Sequence, residues 1–222
     1  MLATDVDRCR RRSDCLTLSI NAGPPCHWSG PEEYPLNDSI SAPSAGQAQA
    51  HALGPLAPLG AFRQFVLVQL VPLANGKTNK LPLNPRTLIP SNAHDPTNWI
   101  EYDAAAAQAA LLGPMFGVGF VLTAAAGFWV VDLDNCTDPA DPTRWQGEAL
   151  DLWRHLPGTV IEVSQSGRGL HLWGRGPVPA HSMKNIAKHW EFYSDLRFVL
   201  LGTRASGVMA PTCPAIDAVV AQ

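Results

Sequence analysis

The chain has 222 residues, 46% of them hydrophobic and 16% charged, with a formal net charge of −3. That length allows one sizeable domain plus a tail, and the charge carries no global basic signature of a nucleic-acid binder. No apolar run is long and uninterrupted enough to span a membrane, and the five cysteines (Cys9, Cys15, Cys26, Cys136, Cys213) are scattered, with no C-x-x-C pair, so they point to neither a zinc ribbon nor a disulfide framework.

Residues 1–54 differ in character from the rest of the chain. Arg8-Cys9-Arg10-Arg11-Arg12 is a basic knot, and after it come Pro24-Pro25, Pro31, Pro35 and a Ser/Ala/Gly/Gln-rich stretch from Ser39 to Ala50. No periodicity is sustained, so the expectation is a disordered leader, or a spurious one preceding the true start. It lacks the contiguous apolar core of a secretory signal. Cys9, Cys15, Cys26 and His27 are too irregularly spaced to read as a zinc site.

The folded part is expected over residues 55–208. A strand is predicted at Phe65–Leu70, and a helix over Tyr102–Leu112, where alanines dominate and Gly113-Pro114 ends the run. Gly117–Leu122 and Phe128–Leu133 read as consecutive strands. Arg144–His155 reads as an amphipathic helix stopped by Pro157-Gly158. Strands at 159–163, 170–174, 190–193 and 197–201 then complete a mostly antiparallel sheet. The fold class is α+β, with helices packed against one sheet. Residues 209–222 read as a linker or the start of a further helical region.

Three segments carry chemistry. The first is Val131-Asp132-Leu133-Asp134-Asn135, following the apolar run Phe128–Val130. Alternation on a strand puts Asp132 and Asp134 on one face. Two carboxylates that close repel unless a cation neutralises them, and Mg²⁺ or Mn²⁺ takes such hard oxygen ligands together with substrate phosphates. Read alone, the same string equally ends a strand in a polar turn. The second segment, Ser166-Gly167-Arg168-Gly169-Leu170-His171, is a hairpin tip. Its exposed N–H groups, its hydroxyls and Arg168 suit phosphate oxygens. His171 is either a phosphate donor or proton carrier or an ordinary half-buried histidine. The third, Trp190-Glu191-Phe192-Tyr193, places Glu191 and Tyr193 on one face. Arg197-Phe198 comes next; Glu191 is either a functional acid or an edge-strand partner of Lys188 or Arg197.

No acidic residue occurs between Glu162 and Glu191, while Arg168, Arg175, Lys184, Lys188, His171, His181 and His189 all do. This reads as a local basic groove for a nucleic-acid strand. Trp173 and Trp190 are available for stacking there, although strand tryptophans more often fill a core.

The order D-x-D, glycine-rich hairpin ending in His, then E-x-Y followed by R-F resembles the catalytic core of the archaeo-eukaryotic primase superfamily. It is closest in pattern to the primase-polymerase domains of phage, plasmid and prophage replication proteins. The resemblance covers roughly residues 60–205. It takes in Lys80–Arg86, Ser91-Asn92-Ala93 and Asp95–Trp99 as a lead-in to the first helix, and Gly117–Leu122 as the strand before D-x-D. It implies an RRM-like palm in which Asp132, Asp134 and Glu191 bind two Mg²⁺ or Mn²⁺ ions and His171 contacts the phosphates of the incoming nucleotide. Ser166, Arg168, Lys184 and Arg197 are further nucleotide-binding candidates, with Arg175 behind them. The chain departs from the pattern where a serine often stands two residues before the histidine; here that position is Gly169, with Ser164 and Ser166 nearby. Asp195 is a rival third acid that fits E-x-Y less well.

The implied reaction is nucleotidyl transfer. A primer or initiating 3′-hydroxyl attacks the α-phosphate of an NTP or dNTP on a single-stranded DNA template, in replication of a mobile element. The implied setting is the cytoplasm of a bacterial, archaeal or phage-infected cell. The resemblance also implies a helicase in trans or in a further C-terminal region, or else a stand-alone primase domain; no G-x-x-x-x-G-K-[ST] is present, so no motor is claimed for this sequence. The alternative is a metal-dependent nuclease, or a nucleotidyltransferase acting on another substrate. That class uses the same acids without needing the hairpin, His171 and E-x-Y together. A replication-initiator nickase fails for want of a His-x-His site.

Overall fold

The structure, a computed structural model, describes residues 53–220 except 139, 142, 143, 182, 183, 188 and 189, and only the backbone of residues 184–187. The expected leader, apart from its last two residues, and the Cys9, Cys15, Cys26 and His27 group therefore lie outside the described residues. A 3₁₀ helix, Gly54–Ala61, precedes β1 (Phe65–Pro72) and β2 (Thr78–Leu83). After a short 3₁₀ turn at Pro96–Asn98 come α1 (Tyr102–Leu112), β3 (Phe116–Leu122), β4 (Phe128–Leu133) and α2 (Gly147–His155). The chain continues through β5 (Val160–Val163), β6 (Leu170–Arg175), β7 (Lys184–Ala187), β8 (Trp190–Tyr193), β9 (Arg197–Leu200), β10 (Arg204–Gly207) and α3 (Ile216–Val220).

The α+β class is as expected, but the expected single sheet is two. One runs β2-β1-β3-β9, the other β10-β5-β6-β4-β8-β7, and the pairings within both are antiparallel. The division is made at the turn between β8 and β9. Tyr193 still pairs with Val130 in the six-stranded sheet, whereas Arg197, four residues on, pairs with Leu122 in the other. A local pattern of alternating apolar residues marks both strands and says nothing about which sheet each joins.

The sheets meet through side chains. Phe65, Phe120, Leu122 and Val199 of the smaller sheet share a buried cluster with Phe128, Val130, Val160, Trp173 and Tyr193 of the larger. Edge-to-face ring pairs, Phe120–Phe128 at 5.7 Å and Phe120–Trp173 at 6.3 Å, knit this layer, the geometry that aromatic quadrupoles prefer. The opposite face of the larger sheet presents Trp129, Val131, Leu133, Ile161, Val163, Leu170, Leu172 and Phe192 to Ala149 of α2 and to Cys213, Ile216 and Val220. The segment after residue 208 thus contributes to the same core as the strands.

Local chemistry accounts for the helix boundaries. In α1 only Ala105 and Ala109 are buried, small residues that let the helix lie close to β1 and β3. It ends where Gly113, at φ +98°, donates its N–H to Ala109, a conformation glycine adopts without penalty. The second helix begins at Gly147, not at Arg144. Trp145 forms a bridge with Thr137, and Gln146 donates from its backbone to Cys136 and from its side chain to Thr137, so these residues are held extended.

Gly174 in β6 marks a close approach, for a Cβ there would lie 2.1 Å from the Trp129 ring. Gly174→Ala should therefore destabilise the fold by about 2–3 kcal/mol, as overpacking of a filled core does. Urea unfolding should show a lower midpoint with an unchanged slope; an unaltered midpoint would refute the packing described.

Candidate active site

The central strand β4 is flanked by β6 and β8, and their registers align one row of side chains across the sheet. Val130 faces Trp173 and Tyr193, and Trp173 faces Val160, so one rung is apolar and enters the inter-sheet core. Two residues along each strand, on the same face, Asp132 lies opposite His171 and Glu191, and His171 lies opposite Glu162. The site is this polar rung, Glu162–His171–Asp132–Glu191, laid directly against the apolar one.

His171 is 2% exposed and Glu162 3%. The Glu162 carboxylate accepts from His171 Nδ1 (2.7 Å), from the Trp173 indole N–H (2.8 Å) and from the Gly202 backbone N–H (2.7 Å). His171 Nε2 stands 3.6 Å from Asp132 Oδ1. On the far side the Tyr193 hydroxyl donates to Glu191 Oε2, and the Arg197 guanidinium sits 4.6 Å from the centre of the Tyr193 ring, a cation–π arrangement. Burial, and then the hydrogen bond to Glu191, raise the Tyr193 phenol above its ordinary range.

Burial also raises the pKa of Asp132. Asp134 and Glu191 push it further up, while His171 and Lys80 oppose them. Asp134 itself lies one residue past the end of β4 in an exposed turn, followed by Asn135 at φ +51°. It joins the group through this turn and not through strand alternation.

An open cavity of about 330 Å³ lies over Asp132 and His171, lined also by Thr78, Asn79 and Lys80 of β2 and by Arg197 to Leu200 of β9. Asp132 and His171 therefore form one wall, while Lys80 and Arg197 face them from the smaller sheet. Among the described residues no group of three or more His, Cys, Asp or Glu side chains is placed to hold a metal ion by itself. The donor set is open, made of hard carboxylate oxygens, one of them partly desolvated and crowded by like charge. That suits a divalent ion which keeps waters and takes substrate phosphates as ligands.

Of the sequence-derived candidates, Asp132, His171, Glu191 and Arg197 come together around this cavity and its rung, with Asp134 adjoining. Ser166 and Arg168 are exposed at the β5–β6 tip, beside the site and outside its lining. There Ser164 Oγ accepts from the Gly169 N–H (3.1 Å) and lies 3.1 Å from Ser166 Oγ. Lys184 is placed only by its backbone, opposite Phe192 at the sheet edge; its side chain lies outside the described atoms, as do Lys188 and His189.

Arg175 is not part of the site. It occupies the opposite end of β6 from Arg168 and stacks over Phe128 at 5.2 Å, beside a second cavity. Of the basic residues read as one groove, Arg168 and Arg175 thus stand at opposite ends of β6. Trp173 is fully buried and spends its N–H on Glu162, which removes it from any stacking role. Asp195 accepts from the Ala124 and Leu196 N–H groups and braces two turns.

Two site residues escape a reading of the sequence alone. Glu162 carries a signal, a single acid inside the apolar run Val160–Val163, of the kind that marks Glu191. Lys80 belongs to a strand too polar to be recognised, and it reaches the site only because β2 pairs with β1.

No family model matches the chain. It is similar to a protein named DNA primase-polymerase from Nitratiruptor phage NrS-1, 32% identical over 103 residues, which are 46% of this chain and 14% of the phage protein. The chain therefore matches a small part of that relative's length.

Because burial and like charge raise the Asp132 pKa, the native state holds this proton more tightly than the unfolded chain. Its contribution to stability is most favourable below the ordinary aspartate pKa, near ~3.9, and declines as pH rises through the raised native value. Asp132→Asn should consequently raise the melting temperature at pH 7, with the gain narrowing toward pH 4. Calorimetry across that range checks this, and a variant less stable than wild type at pH 7 would contradict it.

Proposed function

We propose that the chain is a DNA-dependent primase-polymerase domain, transferring nucleotidyl groups from NTP or dNTP to a primer or initiating nucleotide on a single-stranded template. The observation that carries this reading is the polar rung, which sets Asp132 and the buried His171 in the lining of a cavity whose other wall bears Lys80 and Arg197, with Glu191 opposite Asp132 on the neighbouring strand. Such a split cavity suits a triphosphate, with cations for its oxygens on one side and carboxylates for its metal on the other. The similarity to the phage DNA primase-polymerase supports the same reading.

In this reading Asp132, Asp134 and Glu191 hold Mg²⁺ or Mn²⁺, two ions when the nucleotide is bound. Once bound, the ions supply positive charge to the attacking hydroxyl and to the departing pyrophosphate. His171 Nε2 faces the phosphates, its ring fixed from behind. Lys80 and Arg197 neutralise the β- and γ-phosphate oxygens, and Arg197 is kept in place by stacking on Tyr193. Ser166 and Arg168 at the hairpin tip, and Lys184 on the edge strand, extend the contact toward the nucleotide or the template. The setting proposed is replication of a mobile element in the cytoplasm of a bacterial or archaeal cell, with a helicase as the partner that opens the duplex.

The test is incorporation of labelled NTPs and dNTPs on single-stranded templates, with and without an annealed primer, in Mg²⁺ or Mn²⁺. Wild type should extend, and Asp132→Ala/Asp134→Ala should lose activity by at least about 10³-fold, as removal of charge-stabilising groups does. Lys80→Ala should raise the nucleotide KM about tenfold, the scale of one charge-assisted phosphate contact. Millimolar Mn²⁺ should also raise the melting temperature of wild type and leave that of the double variant unmoved. Folded protein that binds Mn²⁺ yet extends nothing, and instead cuts the template, would replace this reading by the nuclease alternative.

A further inference from the structure

We propose that Glu162 is a positioning residue for the site, holding the His171 ring so that Nε2 alone can face the cavity and the nucleotide phosphates. This rests on the functional reading above for the identity of the ligand, and on geometry alone for the Glu162–His171 relation.

The first ground is hydrogen-bond inventory. A carboxylate only accepts, so the 2.7 Å contact between Glu162 Oε2 and His171 Nδ1 places the proton on Nδ1. That holds whether the ring carries one proton or two. Nε2 is then the nitrogen left for the cavity side, where Asp132 Oδ1 stands 3.6 Å away. The ring has no room to turn, since it is 2% exposed and meets the Trp173 ring edge-on at 6.3 Å.

Glu162 is in turn held from three directions. Oε2 also accepts from the Trp173 indole, and Oε1 accepts from the Gly202 N–H. Gly202 stands just beyond β9, next to Thr203, whose N–H bonds Val163. A Cβ at Gly202 would fall 1.8 Å from the Val163 carbonyl oxygen, so only glycine lets its N–H approach so closely. The carboxylate therefore locks His171 to β5 and to the segment through which the chain returns from the smaller sheet to the larger. A histidine that presents one nitrogen to a ligand and the other to a buried carboxylate has its tautomer and ring plane determined by that carboxylate.

Glutamine separates this role from bulk packing. Its carboxamide keeps the volume but has one acceptor oxygen. Turned toward His171 and Trp173, it sets its NH₂ against the Gly202 N–H; turned toward Gly202, it sets its NH₂ against His171 Nδ1 and the indole N–H. Either arrangement loosens or reverses the histidine. Long-range ¹H–¹⁵N correlation spectra of the full chain, with His171 assigned by comparison with His171→Gln, read the ring nitrogens directly.

The expected result is Nδ1 protonated in wild type, and a changed Nδ1 signal in Glu162→Gln. With it should come a rise in the dATP KM of about tenfold, the scale on which lost orienting partners act, and a much smaller change in kcat. Should Glu162→Gln not fold, Trp173→Phe removes one donor from the same carboxylate and should shift the Nδ1 signal by a smaller amount in the same sense. A bare Nδ1 in wild type, or His171 signals and dATP KM identical in wild type and variant, would overturn the proposal. Absence of polymerase activity in wild type would instead count against the functional reading, and the spectra would still decide the role of Glu162.

Discussion

The antiparallel register of β4 between β6 and β8 is the constraint on which the site depends. Directly opposed residues on neighbouring antiparallel strands share a face, with Cα atoms roughly 5 Å apart. Once Val130 is committed to the apolar rung with Trp173 and Tyr193, Asp132 is committed to lie between His171 and Glu191. Two ionised carboxylates at about that separation repel by roughly 3 kcal/mol at an effective dielectric of about 20. The rung tolerates this in part because Tyr193 donates to Glu191 and because His171 and Lys80 oppose the negative potential at Asp132. Burial first, and then the like charge of Asp134 and Glu191, leave the pKa of Asp132 raised: a group held in an unfavourable state by surrounding structure, the usual mark of a site shaped for something other than its own stability.

The two-sheet arrangement is what makes that tension useful. If all strands joined one sheet, the face bearing the acids would open to water, or be covered by apolar side chains. Instead β9 leaves the larger sheet after the Ser194–Leu196 turn and carries Arg197 to the smaller one, where β2 also brings Lys80 over the carboxylates. The aromatic layer of Phe65, Phe120, Phe128 and Trp173 sets the spacing between the sheets, and Glu162 ties their junction to the histidine through Gly202. Cations and carboxylates thus sit on separate sheets. No direct ion pair between Lys80 or Arg197 and the acids is found among the described residues. They face a shared cavity in place of neutralising one another.

How far the sequence foretells this depends on how local the determining physics is. Helix α1 and strands β4 and β8 are legible to the residue, because alanine richness ended by Gly113 and apolar runs with alternating polar residues are properties of neighbours along the chain. The acids and His171 are legible because unusual residue types interrupt those runs. In the smaller sheet β1, β3 and β9 are legible too, but β2 is not. β2, Thr78–Leu83, is polar at its start and contains Pro82, tolerable because β2 is an edge strand. It exists by virtue of pairing with β1, and a propensity reading has no access to that. β10, Arg204–Gly207, is similarly plain in composition and is defined by its pairing with β5. Lys80 is therefore visible in the sequence only as part of a lead-in segment, and it becomes a site residue once its strand is placed. Arg175 errs in the opposite direction, since nearness along the chain suggests a shared groove and the length of β6 carries it away.

The absence of a serine at position 169 has a physical explanation in the same terms. A Cβ on residue 169 would stand 2.8 Å from the Leu133 carbonyl oxygen and 3.1 Å from Ser164 Oγ, so the hairpin approaches the end of β4 too closely for any side chain there. That approach is held by the backbone bond from Cys136 to Arg168, which fixes the Asp134 turn against the hairpin tip. Ser164, across the hairpin, places its own hydroxyl at this point: its Oγ accepts from the Gly169 N–H with Ser166 beside it. Having glycine at 169 and placing Asp134 next to Asp132 are thus one structural feature. Glycine at 169 lets the hairpin close on the D-x-D turn, and the closed turn keeps the second aspartate within electrostatic reach of the first.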